Sequence, residues 1–161
     1  CTGICGADHY VSEVADEVFS GMASNLFERV REQKGLAYFV RSSRVLGVDV
    51  GLFGFYAGTT PEKAREVLDE IEAEIRRVQE GGIAPEELQR CQTRLKAARR
   101  MSLQTNGARA LQAALNAVYG LPVNDWKNYD AKIDAVTIEQ LRDFARARFT
   151  PEQRVELIVR P

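Results

Sequence analysis

The hydrophobic positions of the chain follow a helical period over most of its length. Apolar residues three and four positions apart recur on one side of each segment, which is typical of helices with a single buried face. The pattern predicts helices beginning near His9, through Leu26 and Val30, from Pro61 to Val78, from Pro85 to Ala98, through Leu111 and Val118, around Trp126 to Ile133, and after Thr137. Most of the chain is therefore predicted to be helical.

The period changes to two at Ala37, which predicts a strand. Tyr38, Val40 and Ser42 should then share one face of that strand, because side chains alternate along extended backbone. A turn at 46–49 leads into the apolar run Val50–Ala57, which we interpret as a second strand buried on both faces. Val155–Val159 is predicted to be the last strand of the chain.

The order of these elements predicts an α+β fold, with helices packed on one face of a mostly antiparallel sheet. Two or three strands are few for a stable sheet, so we expect its first strand to lie before Cys1, outside this chain. Residues 1–161 are accordingly interpreted as a single domain that is truncated at its N-terminus.

Composition excludes several classes of function. Of 161 residues, 45% are hydrophobic, and the formal net charge is -1, so no field of one sign favours binding to nucleic acid. No apolar run reaches the roughly 20 residues that a membrane span needs. The sequence does not decide the cellular compartment, with a bacterial cytoplasm or periplasm favoured over a membrane.

Cys1 and Cys5 are either a redox or metal-binding pair or, as we expect, loop cysteines without a role.

The metal-ligating side chains are too few for a zinc hydrolase. Such a site needs two or three clustered histidine, cysteine or carboxylate ligands, and the chain has one histidine, His9, with Asp8 and Glu13 nearby. His9 is therefore expected to be a solvated or capping residue, and no metal or cofactor is expected on this chain. A phosphate-binding glycine loop is absent from the sequence as well.

The segment Arg29–Arg41 carries the candidate chemistry, since a charged helix end meets a glycine that opens an apolar strand. Arg31 and Tyr38 have two interpretations. The arginine could neutralise a helix C-terminus while the tyrosine buries its ring. Alternatively, the turn at Gly35 could bring a guanidinium and a phenol together as donors to a peptide carbonyl or to the oxyanion formed from it.

A resemblance favours the second interpretation. The segment Ser24-Asn25-Leu26-Phe27-x-x-x-Arg31-Glu32-Gln33-Lys34-Gly35-Leu36-Ala37-Tyr38 closely resembles a motif of the pitrilysin/insulysin-type zinc peptidases, which include the mitochondrial processing peptidase. Similar stretches follow in order at 51–53, 57–63, 82–88 and 135–141. Asn25 departs from the usual arginine of the motif. The chain resembles the non-catalytic, C-terminal type of domain in this superfamily.

The resemblance implies that two domains or subunits enclose a chamber and contribute different parts of the active site. The partner carries H-x-x-E-H and the zinc, whereas Arg31 and Tyr38 of this chain fall on the positions that hold the scissile peptide. The expected partners are thus an H-x-x-E-H catalytic domain or subunit and a peptide substrate, and the exposed sheet edge leaves pairing between two copies open. Alternatively, the chain is a proteolytically inactive scaffold, like the core proteins of respiratory complexes.

Overall fold

Seven α-helices and one β-hairpin make up most of the computed structural model, which describes residues 3–21 and 24–159. The helices are α1 (His9–Ser20), α2 (Asn25–Phe27), α3 (Ala64–Gln79), α4 (Pro85–Ser102), α5 (Asn106–Val118), α6 (Tyr129–Asp134) and α7 (Ile138–Arg148). The strands are β1 (Ala37–Leu46) and β2 (Gly51–Thr59). A π-helical turn (Glu28–Gln33) continues α2, and 3-10 turns span Pro61–Lys63, Asp125–Asn128 and Pro151–Gln153.

Local capping chemistry explains where several of these helices begin. Thr137 and Gln140 form a capping box at the start of α7, in which each side chain bonds the other residue's backbone N–H. The hydroxyl of Thr105 accepts from the backbone of Ala108 at the start of α5. Pro85 occupies the first turn of α4, where its missing N–H costs nothing. The helix starts predicted at Pro85 and Thr137 are confirmed.

The hairpin pairs β1 with β2 in antiparallel register, and helices cover one of its faces. This confirms the α+β prediction. The prediction that the second strand is buried on both faces is wrong, because Leu52 is 65% exposed and Tyr56 is 49% exposed. Phe53, Phe55 and Ala57, on the other face, pack against the buried core. The described helices therefore bury only the inner face of the hairpin.

The core consists of two hydrophobic clusters that meet beneath this inner face. The larger cluster joins α1, α3, α4, α6 and α7, and the rings of Phe19, Phe53, Phe55, Phe144 and Phe149 meet at its centre with centroids 5.0 to 6.1 Å apart. The smaller cluster contains Leu26, Val30, Leu36, Ala37, Val40, Val67 and Ile71. It lies directly under the segment that carries Arg31 and Tyr38.

The strand predicted at Val155–Val159 does not form. These residues follow the last 3-10 turn without regular structure, and the side chains of Val155, Leu157 and Val159 are almost fully exposed. A strand needs a neighbour for its N–H and C=O groups, and none of the described residues supplies one. The sequence pattern indicates that residues 155–159 prefer an extended backbone, but strand pairing also requires a neighbouring strand.

The cysteines divide between core and surface. Cys91 is buried on α4, and burial raises the pKa of its thiol to about 12, as suits a small core residue. Cys5 is exposed, whereas Cys1 lies outside the described residues. None of the helices formed by the described residues is long and apolar enough to cross a bilayer.

His9 lies mostly buried in a polar network and is not the solvated or capping residue that we expected. Its ring meets Tyr10 edge-on, its Nε2 lies 3.8 Å from the Glu13 carboxylate, and its buried Nδ1 has no hydrogen-bond partner among the described residues. Burial lowers the pKa of His9; Glu13 opposes this effect, and the cations of Arg44 and Lys132 add to it. His9 is therefore held in the neutral form.

We expect His9 to make the domain sensitive to mild acid. Because the folded pKa lies below the ordinary value of 6.5, the unfolded chain takes up the proton first as the pH falls. The stability due to neutral His9 is thus complete above the unfolded pKa and is lost as the pH falls through the folded pKa. Urea unfolding between about pH 7.5 and pH 5 should give a steeper loss for the wild type than for His9→Gln. Equal slopes would contradict this assignment.

Candidate functional site

Arg31 lies on the π-helical turn that connects α2 to β1. Ser24 caps α2 by accepting from Phe27 N at 3.2 Å, and the turn ends in a bond of 3.1 Å from Lys34 N to the Arg29 carbonyl. Gly35 has φ +56°, a left-handed conformation that suits glycine and turns the chain into β1. Single π-helical turns within helices frequently mark functional sites.

Tyr38 lies at a β-bulge. Ala37 pairs with Thr59 and Phe39 pairs with Gly58, so Tyr38 is the extra residue on its strand. The predicted grouping of Tyr38 with Val40 is therefore wrong: Val40 is buried, whereas Tyr38 is 82% exposed. The bulge turns the phenol away from the core, and no described residue accepts a hydrogen bond from its hydroxyl. Its donor is free to meet a ligand.

The turn and the bulge bring Arg31 and Tyr38 together. The Arg31 guanidinium carbon lies 5.8 Å from the centroid of the Tyr38 ring and 5.2 Å from that of Phe27. This cation–π geometry orients a half-exposed guanidinium, and Glu32, its one carboxylate neighbour in the described part of the chain, is 3.7 Å away. A guanidinium with several N–H donors and a phenolic donor thus lie side by side at the surface.

A cluster of charged residues fixes the π-helical turn to α3. Glu70 accepts hydrogen bonds from Arg29 and from Lys34, the latter at 2.6 Å, and Glu74 lies 3.7 Å from Arg29. Burial tends to raise the pKa of Glu70, but the bonds from Lys34 and Arg29 outweigh it, so the net pKa is lowered. Glu70 is therefore ionised and anchors both sides of Arg31.

Sequence reasoning missed this cluster, although a signal was present. Glu70 and Glu74 fall on the apolar stripe of α3, between Val67, Ile71 and Val78, and both are buried. A carboxylate at a core position is costly unless a cation pairs with it. Two such acids four residues apart could have pointed to cationic partners, which are Arg29 beside Glu70 and Arg77 beside Glu74.

The carbonyl groups that follow the turn are also satisfied. Lys63 Nζ donates to the Gly35 carbonyl at 2.9 Å, and the Thr59 hydroxyl donates to the Leu36 carbonyl at 2.5 Å. These bonds fix the backbone between Arg31 and Tyr38. An open cleft of about 560 Å³ lies beside Tyr38, between residues 35–38 and 58–60.

The described residues do not suit a metal ion. Across residues 3–21 and 24–159, no three histidine, cysteine or carboxylate side chains converge as ligands. His9 has Glu13 as a neighbour, but its other nitrogen is buried against the core and a third ligand is missing. Zinc chemistry is therefore not assigned to any of these described residues.

The geometry thus defines an α+β domain that presents donors beside a cleft, with no metal centre among the residues that the structure describes. Residues 2–95 match the family described as the Peptidase M16 inactive domain. The chain belongs to this family of inactive peptidase domains from zinc metallopeptidases.

A curated relative supports this assignment, and two solved structures share the fold. An uncharacterized zinc protease of Streptomyces coelicolor is 36% identical over 129 residues, which cover 78% of the chain and 28% of the relative. The chain thus spans little more than a quarter of that protein. The peptidase M16 inactive domain from Pseudomonas fluorescens superposes with TM-score 0.80 at 20% identity, covering 91% of the chain and 35% of the structure. A chain of complex III2 from Candida albicans gives TM-score 0.78 at 17% identity, covering 91% and 37%.

Proposed function

We propose that the domain binds peptide substrates for a zinc metallopeptidase and that Arg31 and Tyr38 hold the scissile peptide. The observation that carries this proposal is the convergence of the two side chains at a bulge that exposes Tyr38. The Arg31 guanidinium carbon lies 5.8 Å from the centroid of the Tyr38 ring. A purely structural tyrosine at this position would gain stability by burying its ring, yet the fold directs the ring outwards.

The two side chains suit a peptide carbonyl because both donate hydrogen bonds. Arg31 supplies a fixed positive charge, and the Tyr38 hydroxyl supplies a donor without a competing partner among the described residues. As the carbonyl carbon becomes tetrahedral, negative charge gathers on its oxygen, and preorganised donors then bind it more strongly than they bind the ground state. Glu70, through Arg29 and Lys34, fixes the π-helical turn that carries Arg31.

The catalytic centre is assigned to a partner. We place the H-x-x-E-H motif and its zinc on a second domain or subunit, since the described part of this chain does not fit a zinc site. This chain would form the substrate-binding half of a two-domain or two-subunit enzyme and would be inactive alone. The absence of strand pairing for Val155–Val159 is consistent with a surface completed by another segment.

A scaffold function is the second candidate. The chain of complex III2 from Candida albicans has the same fold, so this fold also occurs within a respiratory complex. A scaffold places no requirement on the Arg31 and Tyr38 donors and would tolerate their loss. The peptidase proposal is favoured because both donors are exposed and held in position.

Reconstitution tests the peptidase proposal. The domain, alone and mixed with the H-x-x-E-H partner and zinc, is assayed with a fluorescence-quenched peptide, and its metal content is measured after dialysis. We expect no stoichiometric zinc and no cleavage from the domain alone, and cleavage by the mixture well above that of the partner alone. Cleavage by the domain alone would refute the proposal, and so would a mixture no faster than the partner.

A further inference from the structure

The outer face of the hairpin is continuous with the proposed site. It is defined here as the outward-facing positions Phe39, Arg41, Ser43 and Val45 on β1 with Leu52, Gly54, Tyr56 and Gly58 on β2. The register sets Phe39 opposite Gly58 and Arg41 opposite Tyr56. The rings form a row, since Tyr38 lies 6.4 Å from Phe39 and Phe39 lies 5.9 Å from Tyr56. A surface therefore extends from Arg31 through Tyr38 to Arg41.

The shape of the outer face suits an extended peptide. The Phe39 ring lies over Gly58 so closely that a Cβ atom there would come within 2.5 Å of it. Gly54, beside Ser43, has open space where a Cβ would be. Because an extended peptide repeats its side chains on one face every two residues, at about 3.3 Å per residue, it matches the spacing of Phe39 and Arg41.

Arg41 gives this face its charge. Neither β1 nor β2 contains an aspartate or glutamate. On the inner face, Arg44 lies 3.6 Å from the Glu13 carboxylate and donates to Ser12, whereas none of the described carboxylates pairs with Arg41. An exposed arginine beside the aromatic rings of Phe39 and Tyr56, without a local counter-ion, is complementary to an acidic group on a ligand.

We propose that the outer face is a specificity subsite, in which Arg41 binds an acidic side chain of the peptide held by Arg31 and Tyr38. Tyr38 and Arg41 are three residues apart on β1, which corresponds to about 10 Å of strand. The acidic residue therefore lies about three residues from the scissile bond. This inference rests on the proposed function and adds a substrate class: extended peptides with an acidic residue near the cleavage site.

Matched peptides test the subsite in the assembled enzyme. The peptides within a set differ at one position, which carries Glu, Gln or Lys. This position is placed in turn two, three and four residues from the cleaved bond, on each side of it. We expect the wild-type kcat/KM to favour Glu over Lys at one of these positions by about threefold to tenfold, the scale of a partly exposed ion pair. Arg41→Gln should abolish the preference, Arg41→Glu should reverse it, and added salt should weaken it.

The controls separate this inference from the proposed function. Arg100→Glu, on α4, removes an exposed arginine that pairs with Asp130 and should leave the preference unchanged. Tyr38→Phe should lower kcat for every peptide while keeping the Glu-to-Lys ratio. If the Arg41→Glu variant keeps the wild-type ratio of kcat/KM for the Glu and Lys peptides, the subsite proposal is overturned. This holds even if Tyr38→Phe behaves as expected. An equal loss for all peptides in Arg41→Gln and Arg41→Glu overturns it as well and indicates that another domain covers this face.

Discussion

Replacing Tyr38 with phenylalanine is expected to lower kcat of the assembled peptidase by roughly a hundredfold to a thousandfold. The substitution keeps the ring, and with it the cation–π contact to Arg31, and removes only the hydroxyl donor. A donor that acts mainly on the developing oxyanion contributes to the transition state more than to substrate binding. KM should therefore rise far less than kcat falls, as steady-state assays with a quenched peptide can measure.

Tyr56→Phe is the matched control, because it removes the same hydroxyl from an exposed tyrosine on the same hairpin. Tyr56 lies on the outer face and contacts Phe39 through its ring, which the variant keeps, so kcat should fall far less than in Tyr38→Phe. Circular dichroism and urea unfolding should show both variants folded as stably as the wild type. An unchanged kcat for Tyr38→Phe would contradict the role assigned to the Tyr38 hydroxyl. A fall in kcat equal to that of Tyr56→Phe would contradict it too.

The sequence could predict the elements whose causes are local. A capping box at Thr137, a proline at the start of α4 and a glycine after the π-helical turn each act through neighbouring residues, and the structure shows all three. Reasoning from neighbouring residues fails for Val155–Val159. Its composition favours a strand, but strand formation depends on a distant partner, and the segment is unpaired among the described residues.

The geometry of the candidate site could not be predicted from the sequence. The residue types of Arg31 and Tyr38 and the glycine between them left a structural and a functional interpretation open, and the family resemblance favoured the functional one. The bulge that exposes Tyr38 could not be predicted, because an extra residue on one strand is defined only by its register against the other. The contact of Glu70 with Arg29 joins residues 41 positions apart, a pairing that no local pattern specifies.

The second large effect is expected on stability, from replacing Arg77 with leucine. Arg77 is the cation between two buried acids: it donates to Glu74 at 2.8 Å and to Glu87 at 2.8 Å, and also to the Gly82 carbonyl. Burial alone would lower the pKa of Arg77, but the bonds to Glu74 and Glu87 raise it well above its ordinary value. The cation is therefore bound firmly to its two carboxylates.

Without Arg77, Glu74 would keep a buried charge whose nearest cation, Arg29, is 3.7 Å away. Removing one partner from a buried ionic cluster typically costs about 3–5 kcal/mol, because the remaining charge is neither solvated nor paired. Arg77→Leu should lower the free energy of unfolding in urea by about that amount. Since Glu74 also faces Arg29, the variant should loosen the π-helical turn that carries Arg31.

Arg76→Leu is the matched control, one position away on α3. Arg76 is exposed and lies 3.6 Å from Glu72, so its loss should cost less than about 1 kcal/mol, as for other surface pairs. A triple variant, Glu74→Leu with Arg77→Leu and Glu87→Leu, should recover much of the lost stability, because it removes the unpaired charges together with the cation. A loss in Arg77→Leu no larger than in Arg76→Leu would show that water reaches Glu74 and Glu87 and that Arg77 does not anchor α3 to α4.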